Sequence, residues 1–242
     1  MKQYGLIGKT LDHSFSKSYF ENKFSTEHIQ NASYSNFPLE SIEEFKSLIK
    51  KTSISGLNIT IPYKTSIIPF LDELSEEAKS IGAVNTILFK NDQLIGYNTD
   101  YIGFHNAIKP FLKNTMEQAL ILGTGGASKA VVYALEKIGI KCLCVSRFPN
   151  EQQLNYDQLN DLVLKHHLLI VNTTPLGTTP NINECPDIPY QFITEQHLLV
   201  DLVYNPEETL FLKKGRKNLA NILNGKSMLI HQAEEAWKIW NS

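Results

Sequence analysis

The sequence predicts an α/β protein in two units. Strand-like runs alternate with helix-like runs through the first hundred residues. The same alternation restarts near residue 100, and in this second run a glycine-rich turn separates a strand from a helix. Such alternation implies mostly parallel sheets covered by helices. A length of 242 residues suffices for two modest cores.

Each element follows from its pattern. Residues 4–7 are a short apolar run closed by Gly8. Over 39–50, Ile42, Phe45, Leu48 and Ile49 fall at helical spacing, and Ser41 with Glu44 three residues on has the form of a capping box. Residues 53–61 alternate, with Leu57, Ile59 and Ile61 on one face and Asn58 and Thr60 on the other, until Pro62 stops the strand. Strands are expected at 84–89 and 94–97, joined by a turn at Asn91-Asp92. In the second run, 118–122 reads as a strand, 123–126 as the glycine turn, 127–138 as a helix ended by Gly139, and 141–145 as the next strand, a βαβ unit. Further strands are expected at 168–172, 198–202 and 221–223, and the three prolines within 180–189 mark a loop. Residues 227–240 read as a helix with Leu229, Ala233, Ala236, Trp237 and Trp240 on one stripe.

Composition narrows the function classes. Twenty-three Lys and Arg stand against 25 Asp and Glu, a net charge of −2, so no basic surface for nucleic acid is expected. The densest basic cluster, 213–217, reads as a solvated helix end. Cys142, Cys144 and Cys185 are too few for a disulfide framework, and Cys142 and Cys144 read as buried thiols on one strand face. No metal site is expected. No apolar run approaches the roughly 20 residues a membrane span needs. The chain enters its first strand at once, without a signal peptide, so a cytoplasmic protein is expected.

The glycine turn, Gly123-Thr124-Gly125-Gly126-Ala127-Ser128, lies between strand and helix, where a dinucleotide fingerprint has meaning. The first glycine permits the tight turn, the second lets backbone approach a pyrophosphate, and the helix N-terminus attracts the anion. A NAD site commonly places an acid at the end of the following strand. Here Val145-Ser146-Arg147-Phe148 holds no carboxylate, and Arg147 suits a 2′-phosphate. A surface arginine is the competing reading.

Three motifs concentrate hydroxyl and amide groups: His13-Ser14-Phe15-Ser16, Asn58-Ile59-Thr60-Ile61-Pro62-Tyr63-Lys64, and Asn85-Thr86 with Asn98-Thr99-Asp100. Each has a plainer reading, Ser14 and Ser16 as helix N-caps and 98–100 as another cap. Together they suggest a pocket for a small polyhydroxylated ligand. Lys64 and Asp100 are the only Lys, Arg, Asp or Glu residues among them. A lysine beside a carboxylate can pass a proton to a forming alkoxide. Spacing alone leaves open whether the two meet.

These motifs resemble those of the shikimate dehydrogenase family over nearly the whole chain. The resemblance rests also on Ala83-Val84-Asn85-Thr86, Asn172-Thr173-Thr174-Pro175-Leu176-Gly177, Asp201-Leu202-Val203-Tyr204-Asn205-Pro206 and Asn224-Gly225-Lys226-Ser227-Met228-Leu229 with Gln232. It implies reversible NADPH-dependent reduction of 3-dehydroshikimate to shikimate, with Lys64 and Asp100 as the catalytic pair. Ser14, Ser16, Thr60, Asn85, Tyr204 and Gln232 would hold the substrate. The glycine loop, Arg147, Thr173 and Gly225 would face the cofactor. The implied organisation is a substrate domain at 1–99, a Rossmann-like NADP domain at 100–224 and a C-terminal helix at 225–242 returning to the first domain, with the active site in the cleft. Small-molecule partners and a monomer or homodimer are expected. The chain departs from the family at Ser146-Arg147-Phe148, where Asn-Arg-Thr and a nearby second arginine are usual, so a reduced NADP preference is expected. Lys17 also stands where proline is common. The alternatives are a NAD-using quinate/shikimate dehydrogenase and a non-catalytic ligand-binding paralogue, which would not need the lysine–aspartate pair.

Overall fold

The computed structural model describes residues 2–11 and 14–242. The chain divides into two compact units, Met1–Gly103 with Leu229–Ser242, and Phe104–Met228.

The first unit contains β1 (Lys2–Gly8), α1 (Phe15–Thr26), β2 (Ala32–Pro38), α2 (Phe45–Lys51), β3 (Gly56–Ile59), β4 (Glu73–Leu74), α3 (Glu76–Ile81), β5 (Thr86–Lys90) and β6 (Gln93–Tyr97). Its sheet runs β2-β1-β3-β5-β6-β4. β1 is parallel to β2 and β3, whereas β5 is antiparallel to β3 and β6, so this sheet is mixed. The β5–β6 turn is tight because Asn91 and Asp92 both take positive φ, 52° and 61°, which these two residue types tolerate.

α4 (Asp100–Ile108) leads to the second unit, which holds β7 (Gln118–Leu122), α5 (Gly126–Glu136), β8 (Lys141–Val145), α6 (Asp161–His166), β9 (Leu169–Asn172), β10 (Leu198–Asp201), α7 (Leu210–Lys217) and β11 (Asn221–Leu223). Its five strands are all parallel, in the order β11-β10-β9-β7-β8. β7, β9 and β10 carry near-continuous apolar runs because both faces are covered. α8 (Lys226–Trp240) ends the fold.

The apolar stripe of α8 does concrete packing. Ala233, Ala236 and Trp240 are buried with Tyr4, Phe20 and Tyr34. Trp240 stacks on Tyr4 at 4.8 Å between ring centroids and donates its indole N–H to the Ile87 carbonyl at 3.0 Å. A Cβ on Gly56 would lie 2.3 Å from the indole, so this strand position must lack a side chain.

Several local expectations change. The strand expected over 53–61 pairs only from Gly56 to Ile59, and all four of its residues are buried on both faces. Ile61 leaves the alternating face and is 69% exposed, because the chain turns at Pro62. The helix expected from 39 starts as a 3₁₀ turn at Ile42–Glu44 and becomes α-helical at Phe45, with Ser41 N–H donating to Glu44 Oε1 at 3.0 Å. Cys142 and Cys144 are half-buried rather than buried, although burial still pushes the Cys142 thiol up to about 12.

Candidate active site

In the first unit, β3 ends at Ile59, and the turn that follows carries Thr60 and Lys64. The Lys64 carbonyl accepts Val84 N–H at 2.7 Å, which ties this turn to the segment leading into β5. The Lys64 ammonium donates to Asp100 Oδ2 at 2.6 Å, with the two side chains 15% and 7% exposed. Asp100 opens α4, where a carboxylate is favoured by the helix N-terminus. Its backbone N–H donates to Asn98 Oδ1 at 3.0 Å, an Asx turn that leads into the helix. The turn and the site coexist, because Asn98 receives the Asp100 backbone N–H and leaves the Asp100 side chain for Lys64.

Asn85 is the hub of the surrounding network. Its Nδ2 donates to Asp100 Oδ1 at 2.9 Å and Thr99 Oγ1 at 3.0 Å, and lies 3.4 Å from Gln232 Oε1 on α8. Its Oδ1 accepts Thr99 N–H at 2.6 Å and Thr86 Oγ1–H at 3.1 Å. Asn58 donates to Thr86 Oγ1 at 3.2 Å and accepts from Tyr34 Oη at 2.8 Å. Ser16 lies beside the Tyr34 hydroxyl. Lys64, Asp100, Asn85 and Gln232 are thus drawn together directly, and Tyr34, with Ser16 beside it, joins through Asn58.

Ser14 is the N-cap of α1, with Oγ accepting Lys17 N–H at a long 3.4 Å. That bond leaves the hydroxyl proton free to donate elsewhere. His13, quoted with the serine motif, lies outside the described residues. Tyr34 was not legible as a site-linked residue. It sits in β2, whose serines and asparagine hide the strand alternation.

In the second unit, the strand order reverses between β7 and β9, the position where open α/β sheets bind ligands. Gly123 follows β7 with φ +112°, a conformation that favours glycine. Its neighbour across the switch point is Thr173, whose hydroxyl and N–H both donate to the Leu122 carbonyl, at 2.7 and 2.9 Å. Gly125 caps α5 and makes no side-chain cap bond, while Ser128 Oγ turns back to the Gly125 carbonyl at 2.7 Å. Among the described residues, the N–H groups at the start of α5 therefore have no side-chain acceptor. A Cβ on Gly125 would meet nothing within 4 Å. No internal contact requires glycine there, and the residue fits a backbone that an anionic ligand approaches closely. Thr124 and Arg147 are exposed and Ala127 is half-buried. Arg147 forms no ion pair among the described residues.

Gly225 and Tyr204 also belong to this unit. A Cβ on Gly225 would lie 2.2 Å from the Leu202 carbonyl oxygen, so internal packing already dictates that glycine. Tyr204 is half-buried on the segment after β10. That segment and the one after β9 are joined by Asp201, fully buried, which accepts from Asn172 Nδ2 at 2.9 Å, Val203 N–H at 3.0 Å and Thr209 Oγ1 at 2.5 Å. Burial outweighs these bonds and raises the Asp201 carboxyl to about 6.

Among the described residues, no three His, Cys, Asp or Glu side chains cluster to hold a metal ion, and no helix is long and apolar enough to cross a membrane.

The substrate-binding domain model of shikimate dehydrogenase matches residues 6–87. A shikimate dehydrogenase (NADP(+)) of Staphylococcus epidermidis is 38% identical over 252 residues, covering 99% of this chain and 92% of the relative. The crystal structure of shikimate dehydrogenase from Aquifex aeolicus superposes with a TM-score of 0.88 at 37% identity, covering 100% of this chain and 92% of that one. That of Thermus thermophilus shikimate 5-dehydrogenase, in complex with NADP(H) and shikimate, gives a TM-score of 0.88 at 29% identity, covering 99% and 93%. With identity of this order sustained over almost all of its length, and with both units matched, the chain belongs to the shikimate dehydrogenase family.

Proposed function

We propose that the protein is an NADP-dependent shikimate dehydrogenase, reversibly reducing 3-dehydroshikimate to shikimate. The observation that carries this reading is the pair of half-buried Lys64 and buried Asp100, 2.6 Å apart and fixed by Asn85 within a network of amides and hydroxyls. When bound, NADPH supplies the hydride that reduces C3 of the substrate. As C3 is reduced, Lys64 Nζ gives a proton to its oxygen, and in the reverse direction it takes the proton from the C3 hydroxyl. Asp100 Oδ2 holds the ammonium in place. Asn85 Nδ2 restrains the other carboxylate oxygen, so the pair keeps one geometry.

The remaining roles are assigned on chemistry. Thr60, Asn85 and Gln232 present hydroxyl and amide groups suited to the substrate's hydroxyls. Ser14 and Ser16, at the start of α1, suit its carboxylate, with a helix N-terminus favouring the negative charge. In the second unit, 123–128 and Thr173 suit the cofactor's phosphates, and Arg147 its 2′-phosphate. We assign substrate binding to 1–99 with the C-terminal helix and cofactor binding to 100–224, except that Asp100, which the first compact unit includes, belongs with Lys64. The cytoplasm is the proposed location, with the protein a monomer or homodimer.

Steady-state assays of shikimate and quinate, each with NADP+ and NAD+, test this reading. The highest kcat/KM is expected for shikimate with NADP+. A clear preference for quinate with NAD+ would transfer the assignment to the quinate/shikimate class, and inactivity in all four pairings would favour a binding protein.

A further inference from the structure

We propose that Phe148 is a stacking platform for the adenine ring of the dinucleotide; this rests on the NADP reading above. The side chain is 88% exposed, and the residues at 149–151, Pro-Asn-Glu, are exposed as well. A single exposed apolar side chain is ordinary on a protein surface. Phe148 stands apart because its backbone is tightly held and because of its position in the fold.

The hold comes from a dense set of local bonds. Ser146 N–H donates to the Leu154 carbonyl at 2.9 Å, and Leu154 N–H donates to the Cys144 carbonyl at 3.0 Å, so the loop returns to β8 at once. Leu154 itself packs on the core of the second unit. Phe148 N–H donates to Ser146 Oγ at 3.2 Å, which sets the turn immediately before the ring. Asn150 Oδ1 accepts Gln152 N–H at 3.0 Å, and the Asn150 carbonyl accepts Gln153 N–H at 3.1 Å, closing the loop tip. The ring therefore faces water from a constrained turn.

The position follows from the sheet. β8 pairs in parallel with β7, placing Val145 beside Leu122, and Gly123 N–H donates to the Val145 carbonyl at 2.9 Å. The phosphate-binding turn and the Ser146-Arg147-Phe148 segment thus leave the same sheet edge side by side. In parallel α/β sheets of this type the pyrophosphate rests on the first helix and the adenosine ribose reaches the end of the neighbouring strand. Arg147 lies just past the end of that strand. The base, attached to the same ribose, would extend past Arg147 to Phe148, the residue beyond it. Stacking on an aromatic face recognises the base and is indifferent to the 2′-phosphate. Arg147 recognises the phosphate and is indifferent to the base. The two neighbours therefore divide adenosine recognition, and the affinity supplied by Phe148 is shared by NADP+ and NAD+.

Calorimetric titration of NADP+ and NAD+ into wild type, Phe148→Ser, Phe148→Trp and Arg147→Ala tests the division. Phe148→Ser is expected to weaken both dinucleotides by the same factor, about tenfold, without lowering Tm. Phe148→Trp should restore affinity and show tryptophan fluorescence quenching on binding, beyond any change in wild type. Arg147→Ala should weaken NADP+ alone. An unchanged Kd for both dinucleotides in Phe148→Ser, or a loss confined to NADP+, would overturn the proposal. Wild-type protein that binds neither dinucleotide would overturn the cofactor reading itself, a result distinct from either.

Discussion

At the scale of single residues, Lys64 is fixed at both ends, by Val84 N–H on its carbonyl and by Asp100 on its ammonium. Its removal should take away proton transfer while leaving the hydroxyl-binding groups in place. Lys64→Ala is therefore expected to lower kcat by about 10²–10⁴, with shikimate binding still measurable by calorimetry. A variant keeping most of its kcat would remove Lys64 from the chemistry. Ser14 presents a sharper choice. Its cap bond to Lys17 N–H is long, 3.4 Å, so little helix stability is at stake. If its free proton goes to the substrate carboxylate, Ser14→Ala should lower kcat/KM for shikimate by about 1.5–3 kcal/mol with Tm nearly unchanged. A fall in Tm with an unaltered KM would reduce Ser14 to a cap.

At the scale of elements, two glycines assigned to the same ligand have different physical reasons to be glycine. Gly125 caps α5 in open space, whereas Gly225 is pressed against the Leu202 backbone just before α8. Gly125→Ala should fold with a stability loss of up to about 1 kcal/mol, the cost of alanine relative to glycine at an N-cap, yet weaken NADP+ binding by obstructing approach to the backbone. Gly225→Ala forces a shift of main chain and should destabilise by about 1–3 kcal/mol or more. Thermal melts and NADP+ titrations on both variants separate the roles. Equal losses of stability would contradict the contrast, as would unimpaired NADP+ binding by Gly125→Ala. Elsewhere, β3 shows how an element escapes its pattern: burial on both faces replaces the expected alternation, and the turn at Pro62 turns Ile61 out.

At the scale of the whole molecule, the buried Asp201 links pH to stability. Its folded-state value, raised from 3.8 to about 6, means that burial disfavours the ionised form in the native state. Well below the unfolded value of 3.8 both folded and unfolded states hold the proton, and the residue contributes no such cost. Between about pH 4 and 6 only the unfolded state ionises fully, so stability falls by about 3 kcal/mol and stays level above that range. Asp201→Asn keeps an acceptor for Asn172 and Val203 N–H, and the Thr209 hydroxyl can accept from the new amide. Urea unfolding of wild type and Asp201→Asn from pH 4 to 7 should show a stability difference that widens in favour of the variant as pH rises. A difference constant across that range would show that Asp201 does not titrate there.

The sequence by itself determined what is local and periodic. β7, β8 and β11 lie at 118–122, 141–145 and 221–223 as read, because apolar runs bounded by glycine and polar turns carry their own boundaries. The glycine turn and Arg147 were legible because a fingerprint before a helix and an absent carboxylate are both matters of spacing. Tertiary structure decided what is non-local. β2 has few apolar residues, and it is a strand because β1 pairs with it along seven consecutive positions. Lys64 and Asp100 are 36 positions apart, and Asn85 and Gln232 are 147 apart. No period in the chain records such meetings. They arise when the sheet sets the C-terminal end of β3 beside the start of β5, and when Trp240, seated on Gly56, fixes α8 where Gln232 can reach Asn85.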